Sequence, residues 1–434
     1  MKKPNKLFIK PALFPFFYGY MVAIVGTIGI LASIPGQTMG VSTFTDPVMK
    51  ALNLSRDQFS LAYMLGTLMS SFLITRSGAF YDRHGAPITS AMATAVLGIT
   101  LLLCSISDKI VLWISHLLGI SHWLVAFGVM VCLFFMLRFS GQGVLTMVSR
   151  NMIMKWFDRH KGRINAMSSV SVSLGFSASP ILIDSLIQKY EWSGAWQMLA
   201  FFMAIILLMI LFFYKDNPEQ YGLVADGNHH NELDTLKRRQ TSFSLSQATK
   251  TRAFWIYSLI LSFYSFYVTG LTFHVVSIFA DAGYTRTQAI GIFLPMSVIS
   301  ILSSISGNFV SDWIPLKALL YAMIAGAVTA TIGLIGLKDG WGIFLIIGGS
   351  GVMGGLFTAL MAITWPRFFG LQHLGAISGK AMSMLVLASA LGPVLFSLSN
   401  TLFHSYAGIS WLSLIFLFFL AIGSQKANPP ENPE

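Results

Sequence analysis

Charge is the scarcest property of this sequence. Of 434 residues only 28 are Lys or Arg and 17 are Asp or Glu, 10% of the chain, where soluble domains carry about 25%. With 55% hydrophobic residues, that shortage excludes a soluble globule of this length. Carboxylates are the scarcer sign, and no His-Glu-x-x-His, Gly-x-Ser-x-Gly, Walker-type loop or carboxylate cluster occurs. Catalysis therefore has no visible machinery, and neither a metal nor a cofactor is expected. Cysteine is nearly missing too. Cys104 and Cys132 both lie in apolar runs, which excludes a disulfide framework, a CxxC redox site and a thiolate zinc site, and both read as small buried hydrophobes.

What is present is apolar length. Runs near 16–38, 58–79, 88–107, 123–146, 164–186, 195–214, 254–279, 288–309, 317–336, 341–363, 377–399 and 405–424 make twelve candidate spans, each about the 20 residues that a helix needs to cross a hydrocarbon core. They lack the ten-residue alternation of a barrel, so the expected fold is an all-α polytopic membrane protein with twelve transmembrane helices. Lys2, Lys3, Lys6 and Lys10 precede the first run, which has no convincing small-x-small cleavage site. That run reads as a retained span.

The net charge of +11 is a matter of topology. With a cytoplasmic N-terminus, about 21 of the 28 Lys and Arg fall on the cytoplasmic side, about 6 outside, and Arg138 within a span. This one-sided excess orients the chain and calls for no nucleic acid. The expected location is the cell inner (plasma) membrane with both termini cytoplasmic. The long polar stretch 215–253 parts the spans six and six, giving 1–215 as an N-terminal bundle, 216–250 as a central loop and 251–434 as a C-terminal bundle.

The halves repeat. Gly162 to Pro180 at the start of span 5 and Gly375 to Pro393 at the start of span 11 are the same interval, offset by 213 residues and filled with small residues. Gly78 to Asp82 after span 2 is echoed by Gly307 to Asp312 after span 8, one residue longer. The offsets differ chiefly because the loop Asp108 to His122, with Trp113 and His116, is longer than its counterpart. Two related six-helix halves are the architecture of a carrier with its site at mid-membrane.

Between spans 2 and 3 the chain reads Gly78-Ala79-Phe80-Tyr81-Asp82-Arg83-His84-Gly85. This resembles the Gly-x-x-x-Asp-Arg-x-Gly signature of the major facilitator superfamily. Glycine permits close approach of helix ends, and Asp and Arg can exchange partners there. The resemblance implies a conformational latch at Gly78, Asp82, Arg83 and Gly85. The second copy, around Asp312, has Trp313 where a cation is expected, which implies a weaker latch.

Span 4 holds Arg138-Phe139-Ser140-Gly141-Gln142-Gly143, similar to the superfamily's Arg-containing span 4 motif but one residue shorter before its first glycine. An arginine at this depth costs several kcal/mol unless it has partners or faces a wet cavity. Spans 1 to 4 offer no interior carboxylate. Either backbone carbonyls and Gln142 satisfy Arg138, or it binds or gates an anionic solute.

Lys155-Trp156-Phe157, Arg159 and Gly162-Arg163, with Phe16-Phe17-Tyr18-Gly19-Tyr20, Pro218-Glu219-Gln220-Tyr221-Gly222-Leu223 and Phe273-His274-Val275, resemble the branch containing oxalate–formate antiporters and monocarboxylate carriers. Span 8 has Ser297, Ser300, Ser303 and Ser304 where the animal carriers have an Asp–Arg pair, so their proton-linked mechanism does not transfer.

Candidates to line a cavity are Gln37, Thr38, Arg138, Gln142, Tyr264, Tyr267, His274 and Lys380, with Thr358. Pro35-Gly36 either ends span 1 in a loop or kinks it within the membrane. Tyr264, Tyr267 and His274 share a helical face, as a packing stripe or as cavity lining. His274 either titrates near neutral pH and couples to protons or stays neutral and hydrogen-bonded. Lys380 either lines the cavity or snorkels to the surface.

The function expected is secondary active transport of a small solute by alternating access, acting as a monomer in the lipid bilayer. An organic anion, a monocarboxylate or dicarboxylate, is the leading solute, moving with a coupling proton or against a counter-anion. The alternative is export of amphipathic or drug-like compounds, which 35 Phe and 22 Met would suit.

Overall fold

A computed structural model describes residues 11, 14–158, 160–227, 242–403 and 405–430. Among these the regular elements are all helical. Eleven helices among the described residues are long and apolar enough to cross a membrane. One of them, Lys161–Phe213, has 53 residues, about 80 Å at 1.5 Å per residue, far beyond one crossing. It breaks at Glu191, whose φ of 59° and ψ of 174° are not helical, so it supplies two spans. Twelve crossing segments result, in the places the apolar runs mark.

Local signals set where helices start. The second span, Arg56–His84, opens on a capping box in which Gln58 donates its backbone N–H to Ser55 Oγ at 3.2 Å and accepts from Ser55 N–H at 2.9 Å. Ser244 with Gln247, and Thr285 with Gln288, repeat the arrangement. Each is the Ser/Thr-x-x-Gln pattern that satisfies two orphan donors at a helix start. Gly85 ends the second span at φ 85°, a conformation that L side chains rarely adopt.

The chain folds as two compact units, one of Met1–Asp158, Leu174–His230 and Ser378–Ser383, the other of Arg159–Ser173, Asn231–Ile377 and Met384–Glu434. Each carries the bulk of one six-span half plus a short piece from the start of span 5 or span 11 of the other. Part of each small-residue interval falls on those pieces, Ser168, Ser169, Ser171 and Ser173 on one and Ser378 and Ser383 on the other.

In the first unit, aromatic rings pack the second span onto the fourth, with Phe59 and Tyr63 edge-on to Phe134 at 5.1 and 5.3 Å. Phe44 stacks on Trp196 at 3.6 Å. Cys104 is buried here, whereas Cys132 is exposed, because it points away from the bundle on the outer side of the fourth span. In the second unit, spans 9 and 10 meet backbone to backbone. A Cβ at Gly326 would lie 3.0 Å from Gly349 O, and one at Gly333 would lie 2.7 Å from Ile346 N. Gly326 and Gly333, like Gly342 and Gly349, are seven residues apart, so small residues recur on one face of each helix and let the axes approach.

Candidate functional site

The first unit brings four of the sequence candidates together. The first span runs as an α-helix over Gly19–Ala32, tightens into a 3-10 turn at Ile34–Gly36, and resumes as a short helix at Thr38–Thr43. Pro35 at the head of the turn cannot continue the α-helical ladder. The break points Gln37 and Thr38 toward the fourth span. Opposite them, that span departs from α geometry, because Arg138–Leu145 is π-helical. Single π turns inside α-helices often mark functional sites. The two irregular segments touch directly: a Cβ at Gly141 would come within 2.9 Å of Gly36 Cα.

Arg138 sits at this crossing, fully buried. Its Nη1 donates to Gly36 O at 3.2 Å and to Thr38 Oγ1 at 3.3 Å. The guanidinium carbon lies 5.2 Å from the centre of the Tyr63 ring, within cation–π range. Tyr63 OH and Thr38 Oγ1 are 2.9 Å apart. Nε and Nη2 of Arg138 are buried without a hydrogen-bond partner, and so is Gln142 Oε1. Among the described residues Arg138 has no ion pair. Its hydrogen-bond partners are a backbone carbonyl and a threonine; Gln142 is not one of them.

Gln37 turns to its own network, donating from Nε2 to Ser33 Oγ at 3.0 Å and to Thr146 Oγ1 at 3.2 Å. Ser33, Tyr63 and Thr146 were not anticipated from the sequence. Their signal was weak, since hydroxyls within spans commonly bond the carbonyl one turn back, as Thr67 does to Tyr63 O at 2.7 Å.

The second unit holds Tyr264, Tyr267 and His274, which have different partners. Tyr267 is buried and donates to Ala330 O at 3.0 Å. Tyr264 is half-buried, its ring 4.4 Å from that of Phe357. His274 Nε2 lies 2.9 Å from Pro393 O. Thr358 is paired with Ser304 at 2.7 Å, and its carbonyl accepts from Asn165 at 3.2 Å. Asn165 also donates to Asn308 at 2.6 Å. Lys380 is half-buried in the first unit, and the preceding Gly379 lies against Ile74 and Gly78 of the second span.

Loop charges form two clusters at the ends of spans. In the first unit, Asp216 accepts from Lys155 Nζ at 3.1 Å and from the Ala86 N–H at 3.1 Å. A carboxylate at the start of the third span is favourable to that helix's dipole. Lys155 also lies over the Tyr81 ring at 4.4 Å, and Trp156 Nε1 donates to Lys215 O at 2.9 Å. Burial pulls the Lys215 ammonium below its usual range. Burial, with the Asp216 charge second, pushes the Tyr221 hydroxyl up to about 12. The Gly78–Gly85 motif touches this cluster at Tyr81, beneath Lys155, and at Gly85, which packs on Asp216. Asp82 is half-buried and Arg83 exposed. The Lys155–Asp216 pair escaped the sequence because its partners are 61 residues apart.

In the second unit Asp312 accepts from Gly162 N–H at 3.3 Å and lies 3.8 Å from Arg367 Nη2. Arg367 Nη1 donates to Ser311 O at 2.7 Å. Burial raises the Asp312 carboxyl above its ordinary value, against the pull of Gly162 N–H, Arg367, Arg163 and His160. Trp313, standing where a cation was expected, faces one instead: the Arg163 guanidinium carbon lies 5.9 Å from its ring centre and 5.5 Å from that of Phe309. Arg159 lies outside the described residues.

Residues 16–393 match a family model described as Major Facilitator Superfamily. No curated protein matches significantly. Among solved structures, a double-tryptophan variant of XylE is similar at a TM-score of 0.66 and 16% identity, covering 96% of this chain and 97% of that one. The proton:xylose symporter XylE bound to 6-bromo-6-deoxy-D-glucose is similar at 0.65 and 16%, covering 94% of each chain.

Proposed function

The chain belongs to the major facilitator superfamily, a multi-pass membrane transporter of small solutes rather than an enzyme, and we propose that its solute is a small organic anion bound at Arg138. One observation carries this reading: a fully buried guanidinium whose Nε and Nη2 have no partner and which has no ion pair among the described residues. Nε and Nη2 form the side-on fork that a carboxylate accepts in bidentate fashion. The nearby motifs that resemble oxalate–formate and monocarboxylate carriers favour the same class.

In this reading Thr38, Tyr63 and Gln142 surround the anion, and Gln37 holds the break in the first span. Lys380 within the first unit, and Tyr264, Tyr267 and His274 within the second, serve as further solute contacts, each in its own unit. Gly78, Asp82, Arg83, Gly85 and Asp312 act as latches, with the Arg163–Trp313 contact serving the second. The cationic excess on the side of the membrane that carries the N-terminus supports cytoplasmic termini.

A thermal-shift screen of the purified protein over monocarboxylates, dicarboxylates, amphipathic cations and xylose tests it. Stabilisation by a carboxylate that disappears in Arg138→Met supports the anion. Stabilisation by an amphipath or by xylose alone, unchanged in Arg138→Met, overturns it.

A further inference from the structure

Between the third span, which ends at Ser105, and the fourth, which begins at His122, the chain forms a separate helix, Ser107–Leu118. Crossing helices hold both its ends, so it stays at the membrane surface opposite the Gly85 turn between the second and third spans. Its 12 residues span about 18 Å, too short for a core about 30 Å thick.

The helix has distinct sides. Ser107 and Val111 are buried against the protein. At 100° per residue, Ile110, Trp113 and Leu117 share one flank, Asp108, Ser115 and His116 the other, and Lys109 lies between them. Leu112 is the one apolar residue on the polar flank. Trp113 is 66% exposed and Leu117 63%. Leu118 and Ile120, next along the chain, and Trp123 and Leu124 at the start of the fourth span are exposed as well. An apolar patch of this extent needs a cover. Joined at both ends to membrane-crossing helices, this exposed flank has lipid as its cover.

We propose that Ser107–Leu118 is a membrane-surface helix seated at the lipid headgroup boundary. Trp113 and Leu117 enter the upper acyl region, Lys109 meets lipid phosphates, and the Asp108–His116 flank faces water. Tryptophan at the boundary and a lysine at phosphate level are the usual anchors of such helices. The long connection between these spans thereby fixes the depth of the fourth span, which carries Arg138.

Adjacent residues on opposite flanks give the test. Spin labels at Leu117→Cys and His116→Cys, each in a full-length Cys104→Ala, Cys132→Ala background, are read in phosphatidylcholine vesicles containing phosphatidylglycerol. Ile99→Cys, on the exposed side of the third span, is the acyl-chain reference. At Leu117, as at Ile99, oxygen should relax the label several-fold more than a water-soluble nickel chelate, and at His116 the order should reverse. Nickel dominating at both sites would place the helix in water. Exclusion of both reagents from Leu117 would mean that protein, a partner or a second copy, covers the flank. Either result overturns the proposal.

Discussion

Arg138 and Gly36 are joined by a 3.2 Å hydrogen bond from a guanidinium Nη1 to a backbone carbonyl, where a π-helical stretch of the fourth span meets the 3-10 turn of the first. That bond leaves two buried donors of the same side chain unpartnered. A buried charge so incompletely satisfied weakens the fold. Arg138→Met keeps the length without the charge and should leave the melting temperature unchanged or raise it. A fall of several degrees would show that Arg138 holds the two helices together.

The Gly36–Gly141 contact has no room for a side chain, since a Cβ at Gly141 would lie 2.9 Å from Gly36 Cα and 3.1 Å from Ser33 O. Gly141→Val should cost about 1–3 kcal/mol, the usual range for overpacking, and should weaken solute binding as the crossing opens. Thermal unfolding and ligand-induced shift, measured on the same sample, check both effects.

Lys155 and Asp216 are each 5% exposed at the side chain. Removing one partner leaves the other buried and uncompensated, so Asp216→Ala should destabilise by about 3–5 kcal/mol. Lys155→Met combined with Asp216→Leu should recover much of that loss. A double variant no better than Asp216→Ala would locate the effect in the lost Ala86 cap instead.

Much of this was legible from apolar period and length alone. Span positions came through because each crossing needs about 20 apolar residues, and even the merged Lys161–Phe213 helix breaks at Glu191, between the two runs marked there. Arg138 stood out because charge is costly at that depth. Its partners did not: Gly36 O is a backbone atom, and Tyr63 reaches Thr38 across 25 residues, a relation set by the turn at Pro35. Tyr264, Tyr267 and His274 shared a face as their spacing required, yet a face does not say which neighbour each hydroxyl or ring meets. Cys132 read as buried because apolar runs do not reveal which side of a membrane helix faces out.

Asp312 makes a pH prediction. Its carboxyl lies above the ordinary 3.8 because burial disfavours the charge. A raised carboxyl binds its proton more tightly in the folded state, so the ionised form lowers stability as pH climbs from about 4 through the raised value. Asp312→Asn keeps an acceptor for Gly162 N–H without the charge. The variant should gain in melting temperature over the parent as pH rises from 4 to 7, and the gap should close at the acid end. A gap constant across that range would contradict the assignment.

The most direct measurement is counterflow in proteoliposomes, with the parent protein and Arg138→Met reconstituted to equal folded amounts. Vesicles preloaded with an unlabelled carboxylate identified by the thermal-shift screen are given the labelled compound outside. The account predicts transient accumulation with the parent and none with Arg138→Met, although the variant melts no lower. Equal accumulation by both would contradict it and leave Arg138 as a packing residue.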